Sequence, residues 1–224
     1  MRFLTPFIAT CLIFISACFC KPTNADLLLN FSSNNGASFA NDFEVQTGDS
    51  LTIGVFLQQT DTDTVLTDEG LIAWGFDLTR TTTNLGTIPS RSVDSAFDVQ
   101  NRDITTATGF EWEYGESAGL GIRGNAIQLG SFQYDSTADG ETIFVVEDRL
   151  VGSGIANATW FTSSFTDLDE QIFGNGATST YQFSVNSISS IPEPSSLLML
   201  SCIAVLSTIR RRRKIQIRRA LKSF

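Results

Sequence analysis

Glu111 and Glu113 are set two residues apart, a type and spacing that could do acid–base chemistry. On a strand both would point to one face, about 6.6 Å apart at a rise of roughly 3.3 Å per residue. That separation falls in the range of the two carboxylates of an inverting glycosidase. Phe110, Trp112 and Tyr114 interleave with them, so the same five residues also read as a half-buried strand whose aromatic side is core and whose acidic side is wet. The second reading is preferred, because catalytic carboxylates flank a cleft. A second acidic group, Asp61-Thr62-Asp63 followed by Asp68-Glu69, offers the hard oxygens that bind calcium. It lacks the loop glycine and the closing glutamate of an EF-hand, so a solvated loop is the plainer reading and a calcium site the alternative; no other cofactor is expected. Trp74, Trp112 and Trp160 could stack on sugar rings if exposed, but each lies among apolar residues at strand spacing and is expected in the core.

What is missing from the chain narrows the chemistry further. It has no histidine, and its four cysteines, Cys11, Cys18, Cys20 and Cys202, all lie near the ends. The stretch from Asp26 to Ser190 therefore cannot run a Ser-His-Asp or Cys-His mechanism, and it has no imidazole or thiolate to hold zinc. The same stretch contains no lysine and only five arginines, Arg80, Arg91, Arg102, Arg123 and Arg149, against 23 acids, a net charge of -18. Such a segment repels phosphate backbones, which excludes nucleic acid as a partner. Cations, polyhydroxyl surfaces and basic proteins remain.

The elements that must position these residues are strands. Leu51, Ile53, Val55 and Leu57 alternate with Thr52, Gly54, Phe56 and Gln58, and Ile72, Trp74, Phe76 and Leu78 share one face of the next run. Further strands are expected at Leu27 to Phe31, Phe43 to Gln46, Phe110 to Tyr114, Ile127 to Tyr134, Thr142 to Glu147, Ala158 to Phe165 and Thr180 to Ile188, making about nine. Turn-forming clusters such as Asn34-Asn35-Gly36 and Ala138-Asp139-Gly140 separate them, and no amphipathic helix intervenes. The pattern predicts an all-β fold, an antiparallel β-sandwich of jelly-roll or immunoglobulin-like type.

Both ends read as targeting segments. Residues 1–25 fit a signal peptide, with Arg2 as the positive region, an apolar run from Phe3 to Phe14, and a small residue, Ala25, at the cleavage point. Ile15-Ser16-Ala17-Cys18 offers a second route, lipidation of Cys18. Near the other end, Pro192-Glu193-Pro194 precedes an apolar run, Ser195 to Ile209, and then Arg210, Arg211, Arg212, Arg213 and Lys214. As a helix the run spans on the order of 22 Å. Taking in Pro194 and letting the arginines snorkel brings it close to a bilayer core of roughly 30 Å. The basic cluster belongs on the cytoplasmic side, which places the acidic domain outside, as the signal peptide does independently.

Residues 191–214 resemble the PEP-CTERM sorting signal of exported bacterial proteins. The resemblance implies recognition of Pro192, Glu193 and Pro194 by an exosortase, an integral-membrane processing enzyme, with Ser195 to Ile209 as transient anchor and Arg210 to Lys214 as stop-transfer cluster. It also implies a place at the cell surface or in the extracellular matrix, in company with exopolysaccharide. The expected organisation is a signal peptide over 1–25, an exported domain over 26–190, a sorting signal with transmembrane helix over 191–214, and a basic cytoplasmic tail over 215–224. The expected role is non-enzymatic, with exopolysaccharide or surface proteins as partners. A polysaccharide-active enzyme using acidic residues and a calcium-stabilised adhesion module are the alternatives.

Overall fold

The computed structural model describes residues 27–60, 64–149, 159–174 and 180–189. The signal peptide, the lipidation motif, Asp61 to Asp63 and the whole sorting segment lie outside the described residues.

The alternating runs fold as strands because each places one apolar side against the core. One sheet contains β1 (Leu27–Ser32), β3 (Ser50–Gln59), β8 (Ala126–Ser136) and β5 (Gly86–Val93), in the order β1-β3-β8-β5. The other runs β2 (Asp42–Gln46), β11 (Tyr181–Ile188), β9 (Gly140–Asp148), β4 (Leu71–Arg80), β7 (Gly109–Gly115) and β6 (Val99–Thr105). A two-residue strand, β10 (Phe161–Thr162), pairs with β4. The helices among the described residues are single turns, α1 (Val65–Asp68) and α2 (Asp169–Phe173).

The fold is the expected all-β sandwich, with three departures in its strands. β2 and β11 pair in parallel, from Asp42 opposite Ser184 to Gln46 opposite Ile188, so the sandwich is not antiparallel throughout. β5 and β6 were not expected; both are sheet edges, β5 contains Pro89, and β6 is mostly polar, so neither shows the alternation of a half-buried strand. The strand expected over Ala158 to Phe165 shrinks to β10, because the chain turns at once and Phe165 takes a left-handed backbone, φ 63°.

Aromatic rings fill the space between the sheets. Trp74, Trp112 and Trp160 are fully buried, and Trp74 meets Trp112 edge to face at 5.9 Å. Phe144 and Phe183 stack at 4.8 Å, and Phe132 bridges from β8 to Phe110 of the opposite sheet at 5.6 Å. Such pairs contribute roughly 0.5–1.5 kcal/mol each beyond the area they bury. One side of the sandwich is closed by Arg91 of β5, whose Nε donates to Asp103 of β6 at 2.7 Å while its guanidinium lies 5.2 Å from the Phe110 ring centroid. Tyr114 joins this clasp by donating to Asp103 at 3.0 Å; burial, and then the neighbouring carboxylate, push its phenol up to about 12.

The described chain begins and ends at opposite ends of the sandwich. Leu27 pairs with Gln59 at one end, whereas Ile188 pairs with Gln46 beside the Thr47 to Asp49 turn at the other. β3 joins the two ends, a span of about 30 Å for its length at roughly 3.3 Å per residue.

Candidate functional site

The carboxylates singled out by spacing gather on the outer face of the six-stranded path, around one guanidinium. Glu111 and Glu113 of β7 do point to the same side, as their spacing requires. Arg149, the residue after β9, reaches across β4 to both: Nη1 donates to Glu111 at 3.0 Å and Nε to Glu113 at 3.1 Å. The same Nη1 lies 3.5 Å from Asp77 of β4, an ion pair too long to be a hydrogen bond. Arg102 of β6 completes the group by donating to Glu111 at 2.6 Å. The Arg149 side chain is only 6% accessible, so it is buried among the acids it neutralises.

These contacts set the acidities in opposite directions. Hydrogen bonding to Arg149, and then to Arg102, holds Glu111 below the usual carboxylate range. Asp77 receives no such bond; burial, followed by the charge of Glu111, pushes it up to about 6. A split of this kind can mark an acid–base pair. Here Arg149 stands between the two glutamates, in the place an attacking water would need, and the group lies on a sheet face. The geometry is that of an ion-pair network, which does not form the facing carboxylates of a glycosidase.

A second carboxyl group lies deeper. Asp148, at the end of β9, and Asp169, at the start of α2, are both buried and within side-chain hydrogen-bonding reach of each other. Asp169 also accepts the backbone N–H groups of Thr159 and Trp160, each at 3.2 Å. Burial is the main cause that raises both carboxyls, and for Asp169 the Asp167 side chain is the next. Asp169 thereby ties the backbone at Thr159 and Trp160 to the start of α2.

The acidic stretch considered for calcium does something else in its described part. Asp68 is exposed, whereas Oε2 of Glu69 accepts hydrogen bonds from the hydroxyls of Thr162, Ser164 and Thr166, which hold its carboxyl below the usual range. Next to it Gly70 and Gly121, with φ of 79° and 76°, press together so closely that a Cβ on Gly70 would sit 2.8 Å from the Gly121 carbonyl carbon. Among the described residues, no group of three or more histidines, cysteines, aspartates and glutamates is placed to hold a metal ion. The three tryptophans, all in the core, form no sugar platform.

The residue that spacing missed is Arg149. Its signal was present: it is one of only five cations in a lysine-free stretch that carries 23 acids. Pro192, Glu193, Pro194 and the basic cluster from Arg210 to Lys214 lie outside the described residues, as does the apolar run between them. No helix among the described residues is long and apolar enough to cross a membrane. The described chain stops at Ser189, whose hydroxyl donates to Asp139, as does that of Thr47; the Thr47 N–H donates to the Ile188 carbonyl at 2.9 Å. The exit of β11 is thus tied down three residues before Pro192.

Comparison with known proteins agrees with the reading of the tail: residues 190–214 match the family model of the PEP-CTERM protein-sorting motif. The chain therefore carries that motif, and the match is confined to it. No curated protein matches the chain. Solved structures similar to it include a cohesin module from a family 33 glycoside hydrolase of Clostridium perfringens, at 10% identity and TM-score 0.46, covering 74% of this chain and 99% of that one. A cohesin of Clostridium acetobutylicum gives 13% identity and TM-score 0.46, with 75% and 95% covered. A type II cohesin domain from the cellulosome of Acetivibrio cellulolyticus gives 8% and 0.40, with 72% and 95% covered.

Proposed function

We propose that this chain is an exported bacterial surface or matrix protein, processed by an exosortase-like enzyme, whose β-sandwich is a non-enzymatic binding module. The observation that carries the reading is the PEP-CTERM match over residues 190–214, directly after the last strand. In this organisation residues 1–25 direct export, 26–190 form the delivered domain, and Pro192, Glu193 and Pro194 are read by the processing enzyme. Ser195 to Ile209 hold the precursor in the inner membrane, Arg210 to Lys214 stop transfer, and 215–224 face the cytoplasm. Partners are exopolysaccharide or neighbouring surface proteins. The non-enzymatic part of the reading is supported by the carboxylate network, in which Arg149 occupies the space between Glu111 and Glu113.

Intact-mass measurement of the protein from membrane, cell-surface and medium fractions tests the reading. The surface and medium forms are expected to lack residues 1–25 and the residues after the motif, while the membrane fraction holds some full tail. A surface form that still carries Ser195 to Phe224 overturns exosortase-type processing. Release of reducing sugar that is abolished by Glu111→Gln would overturn the non-enzymatic role.

A further inference from the structure

The outer faces of the two sheets differ in kind. Every strand on the six-stranded path except β11 contributes carboxylate, and Glu44, Glu141 and Glu147 stand exposed on its outer face. The four strands of the other sheet hold one acid, Asp135, and one cation, Arg91, which turns over the side of the sandwich to Asp103. Its outer positions are mostly amides and hydroxyls instead, with Leu28, 37% exposed opposite Gln58, as its one exposed large apolar side chain. Thr52 lies opposite Gln133, Ser131 opposite Ser92, and Asn30 donates to Gln58 at 2.8 Å. In a stretch with a net charge of -18, this sheet leaves one broad face almost without charge.

Several features of that face narrow its partner. Its aromatic residue, Phe56, is 6% exposed, lying across Gly54 with the Phe39 ring edge-on at 5.4 Å, so it presents no stacking platform. A polyanion would find no cation on it, and a polycation would be drawn to the acidic face instead. What it offers is hydrogen-bond donors and acceptors together, since amides and hydroxyls supply both. Contacts within the face fix some of these groups beforehand: Gln133 donates to Asp135 at 2.7 Å and to Ser50 at 3.2 Å. Groups already held in place cost less ordering entropy on binding. An uncharged chain dense in hydroxyls matches this surface in both charge and hydrogen bonding.

We infer that the β1-β3-β8-β5 face binds a neutral polysaccharide by hydrogen bonding across its strands; the inference rests on the reading of the domain as a non-enzymatic surface module. The experiment uses the mature protein collected from producing cells, run by affinity electrophoresis through gels containing dextran, laminarin, galactan or, as the charged comparison, polygalacturonate. At least one neutral polymer is expected to retard it, and polygalacturonate is not. Ser131→Asp and Thr52→Glu, each placing charge at a solvent-facing position, are expected to weaken retardation at least tenfold with melting temperature unchanged. Glu147→Gln, on the opposite face, leaves it intact. The inference is overturned if no neutral polymer retards the protein, if polygalacturonate retards it equally, or if both face variants bind like the parent. Self-association in sedimentation that Ser131→Asp abolishes would make a second copy the occupant and would also overturn it. A correctly trimmed surface protein that binds no neutral glycan defeats this inference alone, whereas an untrimmed tail defeats the sorting reading and leaves the gel result standing.

Discussion

One sandwich presents two outer surfaces built by opposite means. On the acidic face, side chains are held by charge: Arg149 and Arg102 gather carboxylates from β4 and β7 into one network. On the other face they are held mainly by neutral hydrogen bonds between neighbouring strands, such as Asn30 to Gln58 and Ser90 to Gln133, with Asp135 as the one charged acceptor, taking bonds from Ser50 and Gln133. The contrast separates stability from recognition. A network that buries a guanidinium is costly to break because unpaired charge would be left behind, so it is poorly suited to exchanging partners. A face of neutral polar groups can release its internal contacts to a ligand at small cost, because each such bond contributes only about 1 kcal/mol net.

The largest effect expected from testing this contrast comes from the centre of the acidic face. Arg149→Ala leaves Asp77, Glu111 and Glu113 close together without their main cation. Removing one partner of a buried pair costs about 3–5 kcal/mol. The acids here are 23–34% accessible, so solvent screening reduces the expected loss to about 2–3 kcal/mol. Gln133→Ala on the neutral face is expected to cost about 0.5 kcal/mol or less. Urea melts of the two variants measure both. Equal losses would show that the faces do not differ in how they are held.

The strands beneath the two faces differed in how plainly they could be read. β3, β4, β7 and β8 were legible because each buries one side, so Ile53, Trp74, Trp112 and Phe132 recur at every second position, apart from a bulge at Val55/Phe56. The core placement of the tryptophans and the shared direction of Glu111 and Glu113 followed from the same period. β5 and β6 were not legible, because an edge strand need not bury a side, and the parallel pairing of β2 with β11 was hidden because period two does not encode a partner's direction. Arg149 was visible as a rare cation, but its partners lie 36 and 38 residues away and are brought near only by the pairing of β4 with both β7 and β9. The neutral face was equally hidden: Thr52, Ser92 and Ser131 become one surface only once the order β1-β3-β8-β5 is known.

An intermediate effect is expected from pH, and it sharpens the account of the acidic face. Asp77 has a folded value of about 6 against an ordinary 3.8, so the folded state holds its proton more tightly than the unfolded chain does. Its contribution is fully present below pH 3.8 and is lost as pH rises to about 6. The raised pair, Asp148 and Asp169, acts in the same direction, whereas Glu111, held low, contributes above its unfolded value and loses that contribution as pH falls. Asp77→Asn keeps a neutral side chain at every pH. Thermal melts are therefore expected to show it more stable than the parent at pH 7 and close to it at pH 4. A variant less stable than the parent at pH 7 would mean that the 3.5 Å contact with Arg149 outweighs burial at Asp77.

The smallest effect concerns repulsion, and its salt dependence distinguishes the faces. Glu147 of β9 stands directly opposite Asp77 of β4, and its charge helps to raise that group. Like charges in opposed positions destabilise a sheet pair, so Glu147→Gln is expected to stabilise by a few tenths of a kcal/mol, on the order of 0.3. Glu147 is exposed, and the Debye length shortens from about 10 Å at 0.1 M salt to about 3 Å at 1 M, so the gain should shrink at high salt. The mirror substitution, Gln133→Glu, puts a second acid beside Asp135 and removes the 2.7 Å amide bond between them. Its loss has two parts: the repulsion fades with salt, but the missing hydrogen bond persists. Melts at low and high salt should therefore bring Glu147→Gln to the parent's stability while leaving Gln133→Glu below it. If both variants converge on the parent, the neutral face is held by charge after all, and the distinction between the two surfaces fails.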